Sequence, residues 1–409
     1  AGLRPKIWIA MYPICDLIAD DLTGACDSCA QFAQTGFSST VILDRESVHR
    51  GSAQVIGAST DSRADSPVTA ARKVQRWSDL LCRGSTPIAF KKIDSTLRGN
   101  IAIEIEAAMQ AFGCSIGIVA PSFPAMGRTV VDGYLCVAGT AEAARIHVPT
   151  MLEQQGLSGL VHLGRSALVG DPESLRARLE DHGKASARLI VIDASSDSEL
   201  DVVAQATYRL RRRPIWIGSA GLAAALARTL ARDHRPAGPD SSGSRMLPGP
   251  AGPAILFVGS DHPATLEQLK HLAALRSTTF VTLSPENIAR GRLALNENRH
   301  LAIAVEPDKA DESSLPYFLA GLKPAPIRGL MMTGGDTAGL VCRALGAESI
   351  TLCGEITAGI PWGRLVGGAA GGLAVATKSG GFGAPDALAV SLDFLARCPI
   401  TSEPLDAKN

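Results

Sequence analysis

An α/β architecture of two domains, each a mostly parallel sheet flanked by helices, is the fold class this sequence predicts. Three observations predict it. Short apolar runs of strand type alternate with longer helical patterns along most of the chain, as in successive βαβ units. Hydrophobic residues fill 46% of the 409 positions, enough for a large core, and a prior of roughly 150 residues per domain suggests two or three domains. Residues 233–253 are dense in Pro, Gly and Ser, a composition that cannot pack as an element. That stretch separates a first domain at 1–232 from a second at 254–409, with 233–253 as the linker.

Ile14–Ala19 reads as the first strand, after a dozen residues that look like an extension. Asp20-Asp21-Leu22-Thr23-Gly24-Ala25 follows at once, and a helix runs on to Gln34. Ser39–Leu43 and Ala53–Ala58 are short strand-type runs; Thr60-Asp61-Ser62-Arg63 follows the second, and Pro67 opens a helix reaching Leu81. Pro87–Phe90 is a strand leading into Lys91-Lys92-Ile93-Asp94-Ser95-Thr96-Leu97-Arg98-Gly99-Asn100, with a helix from Ile101 to Phe112 beyond it. Ile116–Ala120 ends in Pro121-Ser122-Phe123-Pro124-Ala125-Met126-Gly127-Arg128-Thr129. From Gly133 to Gly183 the pattern is less legible. Leu189–Asp193, a helix near Ser198–Arg211, and Pro214–Ile217 with Gly218-Ser219-Ala220-Gly221 resume the alternation.

Polar loops of a parallel sheet gather at its carboxyl edge, where ligands bind. Here they carry Asp20, Asp21, Arg63, Lys91, Lys92, Asp94, Arg98 and Arg128. So many charged groups need partners if buried, and the cations among them point to an anionic ligand. Helix capping and solvated turns are the plainer explanation for any one of these residues.

After the linker, Ala254–Gly259 leads to Ser260-Asp261-His262-Pro263 and a helix to Leu275; Thr279–Leu283, Leu301–Val305 and Gly329–Met332 are further strands. Glycine then accumulates: Thr333-Gly334-Gly335-Asp336-Thr337 before a helix to Leu345, Gly354 to Arg364, Gly367 to Gly372, and Lys378-Ser379-Gly380-Gly381-Phe382-Gly383. Glycine lets backbone approach a ligand closely, and amides at a helix start can hold phosphate, so these loops suggest a nucleotide site. Ordinary tight turns are the alternative for each. There is no G-x-x-x-x-G-K-[ST], no G-x-G-x-x-G and no G-x-S-x-G, which disfavours a P-loop, a dinucleotide fingerprint and a serine hydrolase.

Composition excludes other classes. Forty basic and forty acidic residues give zero net charge, against a nucleic-acid or anionic-membrane partner recognised by bulk field. No apolar run approaches 18 residues and no cleavable signal is visible, so a cytoplasmic location is expected. Nine cysteines are an odd count for a disulfide framework. Cys26-Asp27-Ser28-Cys29 is a C-x-x-C inside a helical pattern with no second pair, which reads as packing. The eight histidines show no H-x-x-x-H pair. Neither the cysteine nor the histidine spacing assigns a metal ligand. A homo-oligomer is left open.

Taken together, these motifs resemble the four-carbon acid sugar kinases, formerly an uncharacterised family. Ala19 to Ala25, Lys92 to Asn100, Ala120 to Arg128 and Gly218 to Leu222 carry the likeness in the first half. Val258-Gly259-Ser260, Gly334 to Thr337, Gly354 to Pro361 and Lys378 to Gly383 carry it in the second. The resemblance implies an N-terminal domain that binds the acid, a C-terminal domain that binds ATP, and an active site in the cleft between them. It implies phosphorylation of threonate, erythronate or 3-oxo-tetronate, typically on the terminal hydroxyl. It would put ATP contacts at Ser260, Gly334, Gly335, Asp336, Thr337 and Gly380, with Gly381 and Lys378 near the phosphates and Mg²⁺ bridging them. Asp336 or Glu355 is then expected to hold the metal, directly or through water. Arg98 and Lys92, with Arg63 or Arg128, are expected to hold the acid's carboxylate, because a guanidinium fork donates two hydrogen bonds at once. Ser95 and Asn100 complete that set. Asp20 or Asp21, otherwise Asp94, is expected to accept the proton of the attacking hydroxyl. One departure is visible: Asp261-His262-Pro263 stands where the family commonly has small or hydroxylated residues. A kinase for another small polyhydroxy acid, or a sensor that binds acid and ATP without turnover, are the rival readings.

Overall fold

The computed structural model describes residues 13–44, 53–81, 86–139, 145–184, 188–233, 251–275, 277–306, 314–322 and 327–399. Most of the predicted linker, 234–250, lies outside them. Among the described residues, eight strands of the first half pair in parallel, in the order Ser39–Ile42, Val55–Ser59, Cys15–Ala19, Ile88–Lys92, Pro214–Gly218, Ile116–Ala120, Leu189–Ile192, Leu160–Leu163. Five strands of the second half form another parallel block, Thr278–Thr282, His300–Ala304, Ala254–Val258, Gly329–Thr333 and Ala374–Lys378. Their buried, nearly all-apolar strands are what a sheet covered on both faces requires.

The two predicted sheets are fused. Gly354 to Arg364, expected as a glycine loop, is instead part of an antiparallel hairpin, Ser349–Thr357 with Ile360–Val366. Its turn is at Ala358-Gly359, and the β-branched residues on either side favour strand over loop. One arm pairs with Ala374–Lys378 and the other with Ser39–Ile42, so one sheet of 15 strands runs through both halves. Passing through two antiparallel arms would leave the carboxyl edges of the blocks on opposite sides of a flat sheet. Right-handed twist of roughly 20–25° per strand turns them toward each other, over the six steps from Cys15–Ala19 to Gly329–Thr333.

Helix Leu22–Gln34 lies across this junction, packed on strands of both halves. Every residue from Leu22 to Phe32 is buried, its polar positions Thr23, Asp27 and Gln31 included. Cys26 and Cys29 are buried and unpaired there, and burial pushes both thiols above their usual range. They pack.

The less legible stretch adds strands Tyr134–Val137 and Ile146–His147 to Arg128–Val131 in a small antiparallel sheet, and carries helices Val148–Gln154 and Pro172–Lys184. Strands of two to four residues are too short to show a period.

Candidate active site

Strand Cys15–Ala19 ends at Asp20 and Asp21, and Asp21 is the N-cap of the junction helix. Its Oδ1 accepts from the Gly24 amide at 2.8 Å and its Oδ2 from the Thr23 hydroxyl at 2.8 Å. A methyl group on Gly24 would lie 2.6 Å from that carboxylate and 3.0 Å from Lys92 Nζ, so only glycine lets the three groups meet. The loop after Val55–Ser59 is stitched alongside: the Ser62 amide donates to Asp20 O at 3.0 Å. Arg63 is thereby aimed at three carboxylates, with Nε 2.6 Å from Asp20 Oδ2 and Nη1 3.1 Å from both Asp21 Oδ2 and Asp94 Oδ2.

Asp94 also accepts from the Thr96 amide at 2.8 Å and from Arg98, Nη2 at 2.7 Å and Nε at 3.2 Å. Burial works against ionising Asp20 and Asp94, but it is outweighed by the Arg63 charge together with the Arg63 hydrogen bond and the two lysines at Asp20, and with Arg98 and Thr96 at Asp94. Both carboxyls stay below the usual range. The Arg63 guanidinium is held charged by the same three acids despite its burial.

The two lysines part company. Strand Ile88–Lys92 extends through Lys91 and Lys92, and strand alternation sends them to opposite faces. Lys91 forms a buried pair with Glu104 at 2.8 Å, away from the cleft. Lys92 faces the cleft, its ammonium donating to Ile93 O at 2.9 Å. Arg98 is the outermost cation, 61% exposed, with its fork on Asp94. The fork expected on the acid's carboxylate is here on Asp94. Asn100 donates to the carbonyls of Ser62 at 3.1 Å and Asp65 at 2.8 Å, which ties two loops together. Ser95 is buried and lines the cleft. Arg128 stands 4.7 Å from the centroid of the Phe382 ring, a cation–π contact between the halves.

On the other side, Gly334 caps helix Gly335–Ala344 at φ 92°, a conformation that favours glycine. Thr337 is buried and Asp336 exposed in its first turn. Gly335 presses on the acid cluster: a methyl there would sit 2.6 Å from Asp21 Oδ2. Ser260 and Gly380 adjoin so closely that a side chain at 380 would collide with the serine hydroxyl, and Gly381 lies beside His262. Lys378 is fully buried. Its ammonium donates to the carbonyls of Ser379, Gly380 and Phe382 and to the Thr265 hydroxyl, at 2.9 to 3.2 Å. Burial pulls its pKa down to about 7. Its donors therefore shape the turn and do not face the cleft, contrary to the expected phosphate contact.

The sequence motifs thus converge on one cleft, lined from the first half by Asp21, Gly24, Arg63, Lys92, Asp94 and Ser95 and closed from the second by Gly359, Ser379 and Phe382. Two further lining residues, Thr23 and Asp27, escaped the sequence reading. The signal was there, because Thr23 and Gly24 lie four and three residues before Asp27 and share its helix face. Among buried side-chain atoms, Asp20 Oδ1, Asp27 Oδ1 and Arg128 Nε have no protein partner. Such atoms suit a polar ligand.

Known proteins match this organisation. Residues 16–226 match the family described as a sugar-binding N-terminal domain, and 312–388 one described as a nucleotide-binding C-terminal domain. A D-threonate kinase of Bordetella bronchiseptica is 32% identical, over 92% of this chain and 96% of its own. The chain belongs to the four-carbon acid sugar kinase family. Other members include a 3-oxo-tetronate kinase of Methylobacterium radiotolerans, 28% identical over 93% of this chain and 98% of its own. A D-erythronate kinase of Heliobacterium modesticaldum is 27% identical over 93% and 96%. A solved Haemophilus influenzae structure superposes with a TM-score of 0.69 at 20% identity, over 93% of this chain and 98% of that one, a likeness of fold. Among the described residues, no helix is long and apolar enough to cross a membrane.

Proposed function

We propose that this chain transfers the γ-phosphoryl group of ATP to a four-carbon sugar acid, on its terminal 4-hydroxyl, with D-threonate the first substrate to try. Residues 1–232 form the acid half and 254–409 the nucleotide half. Because the reaction consumes ATP, this reading carries a cytoplasmic location with it. The observation that carries it is the contact of Gly335 with Asp21. It sets a helix start suited to phosphate against a cluster of charged groups suited to a hydroxy acid.

The triphosphate lies along Ser260, the Gly334–Thr337 turn and the Ser379–Gly381 turn, held by backbone amides. Lys92, Ser95 and Arg128 take the acid's carboxylate, since Lys92 has donors in hand and Arg128 Nε is unpartnered. Arg63 fixes the surrounding carboxylates, with Arg98 at the rim. Among the described residues, no three His, Cys, Asp or Glu side chains converge to cage a metal. That suits Mg²⁺, which binds mainly through phosphates and water. Mg²⁺ supplies charge neutralisation on the transferring group. Chemistry here is positioning and charge compensation, which a rigid network of this kind provides.

The test is ADP release with Mg·ATP and a panel of D- and L-threonate, D- and L-erythronate and the 3-oxo-tetronates. Saturable turnover with the phosphate located on C4 by NMR supports the reading. ATP binding without turnover on any of them would favour another polyhydroxy acid first and a sensor second.

A further inference from the structure

We propose that Asp27 is the general base, the group that takes the proton from the attacking hydroxyl; this rests on the kinase reading above. The three carboxylates that the sequence offers for the task are engaged. Asp20, Asp21 and Asp94 share one guanidinium, and Asp21 also caps a helix. Asp20 and Asp94 are held below the usual carboxylate range, which makes them weak bases, and Asp21 is occupied as the helix cap. Asp27 stands outside that shared clamp. It lies one helical turn past Gly24, lines the same cleft and is 4% exposed. Its Oδ1 has no protein partner. It faces the junction where nucleotide and acid meet.

Four charged groups face it: Glu355 from the hairpin, Lys92 from Ile88–Lys92, Asp21 from its own helix, and Arg128 from Arg128–Val131. Burial and then Glu355 push its carboxyl up, to about 8, against the pull of Lys92 and Arg128. A base whose pKa lies near the working pH combines a useful ionised fraction with strong proton affinity. Glu355 is fixed for this influence, accepting from Gln31 at 2.9 Å, Gln34 at 2.8 Å and the Gly359 amide at 2.8 Å. It acts on Asp27 from the second half of the chain and is a positioning residue.

In the step, a lone pair of the acid's hydroxyl oxygen forms a bond to the γ-phosphorus. The bond from that phosphorus to the bridging oxygen breaks, and its electron pair leaves on ADP. The hydroxyl proton passes to the Asp27 carboxylate and later to solvent.

The experiment uses the full chain with Mg·ATP and whichever tetronate the wild type turns over. The wild type gains kcat as pH rises through Asp27 ionisation. Asp27→Asn, the same shape as the neutral acid, loses roughly 10²- to 10⁴-fold in kcat and keeps ATP and acid affinity within about threefold. Glu355→Gln removes a neighbouring negative charge, favours the ionised form of Asp27 and moves the rising limb to lower pH. An Asp27→Asn enzyme within tenfold of wild type overturns the assignment. So does a Glu355→Gln limb that stays in place, which protects the test should Asp27→Asn fold poorly. A wild type inert toward every acid removes the kinase reading and this role together, an outcome distinct from either.

Discussion

The two walls of the cleft recognise charge by opposite means. The first half uses side chains locked to one another: Arg63 on three aspartates, Arg98 on Asp94. The second uses main chain: Gly334 at positive φ, Gly335 in contact with Asp21, and a turn shaped by a buried lysine. Side-chain ion pairs fix geometry only while every partner is present, because a buried charge left alone is costly. Backbone amides need no partner to stay in place, but they tolerate no added bulk. The first wall should therefore fail by losing charge and the second by gaining volume.

The largest expected effect comes from Arg63→Ala. It leaves three carboxylates facing one another without their shared cation, and breaking a buried pair of this kind typically costs about 3–5 kcal/mol. We expect kcat/KM to fall at least 10³-fold and the urea midpoint at pH 7 to drop with it. The pH dependence has a definite sign. Asp20 and Asp94 have depressed carboxyl pKa values in the fold, so the stability they contribute is present above the unfolded value near 3.9 and is lost as pH falls through the folded one. Without Arg63 the folded values rise, and acid unfolding should begin at higher pH than in the wild type. Unfolding curves at pH 7 and pH 4 that coincide with wild type would refute the clamp.

Gly335→Ala should separate function from stability. Alanine favours a helix over glycine by about 1 kcal/mol, and Gly335 has no positive φ to strain. Its methyl, however, arrives 2.6 Å from Asp21 Oδ2 and must push the halves apart. Expected is a rise of roughly tenfold in the KM of ATP with the melting temperature unchanged or higher, read by steady-state kinetics and calorimetry. A KM shift with a parallel loss of melting temperature would mean that the fold, not the junction, was damaged.

What the sequence made legible follows the same division. The alternation of strand and helix was readable because parallel strands are buried runs bounded by Gly and Pro, and the charged loops fell at the edge where such a fold binds ligands. Pairing was not readable. Whether Arg98 offers its fork to a ligand or to Asp94, and whether Lys91 faces the cleft or Glu104, depends on a strand end set one or two residues later than the apolar run suggests. Within the hairpin Ser349–Val366, Gly354–Arg364 reads as loop because glycine signals turns and close packing alike; its role as the seam between halves comes from long-range pairing with Ser39–Ile42. Asp27 was hidden by its neighbours, since a C-x-x-C draws attention to sulfur and away from the acid inside it.

Arg98 gives the smallest expected effect and the sharpest contrast with Arg63. Both guanidiniums touch Asp94, yet Arg98 is 61% exposed and Asp94 keeps Arg63 and the Thr96 amide if it is removed. Solvent screens such a pair, and exposed ion pairs contribute roughly 0.2–1 kcal/mol. Arg98→Ala should therefore leave the urea midpoint almost unchanged and kcat within about twofold, while the KM of the acid rises by less than about tenfold and more at low ionic strength than at high. A stability loss comparable to that of Arg63→Ala would show that Asp94 depends on both cations equally, and the distinction between a buried clamp and a rim charge would fall.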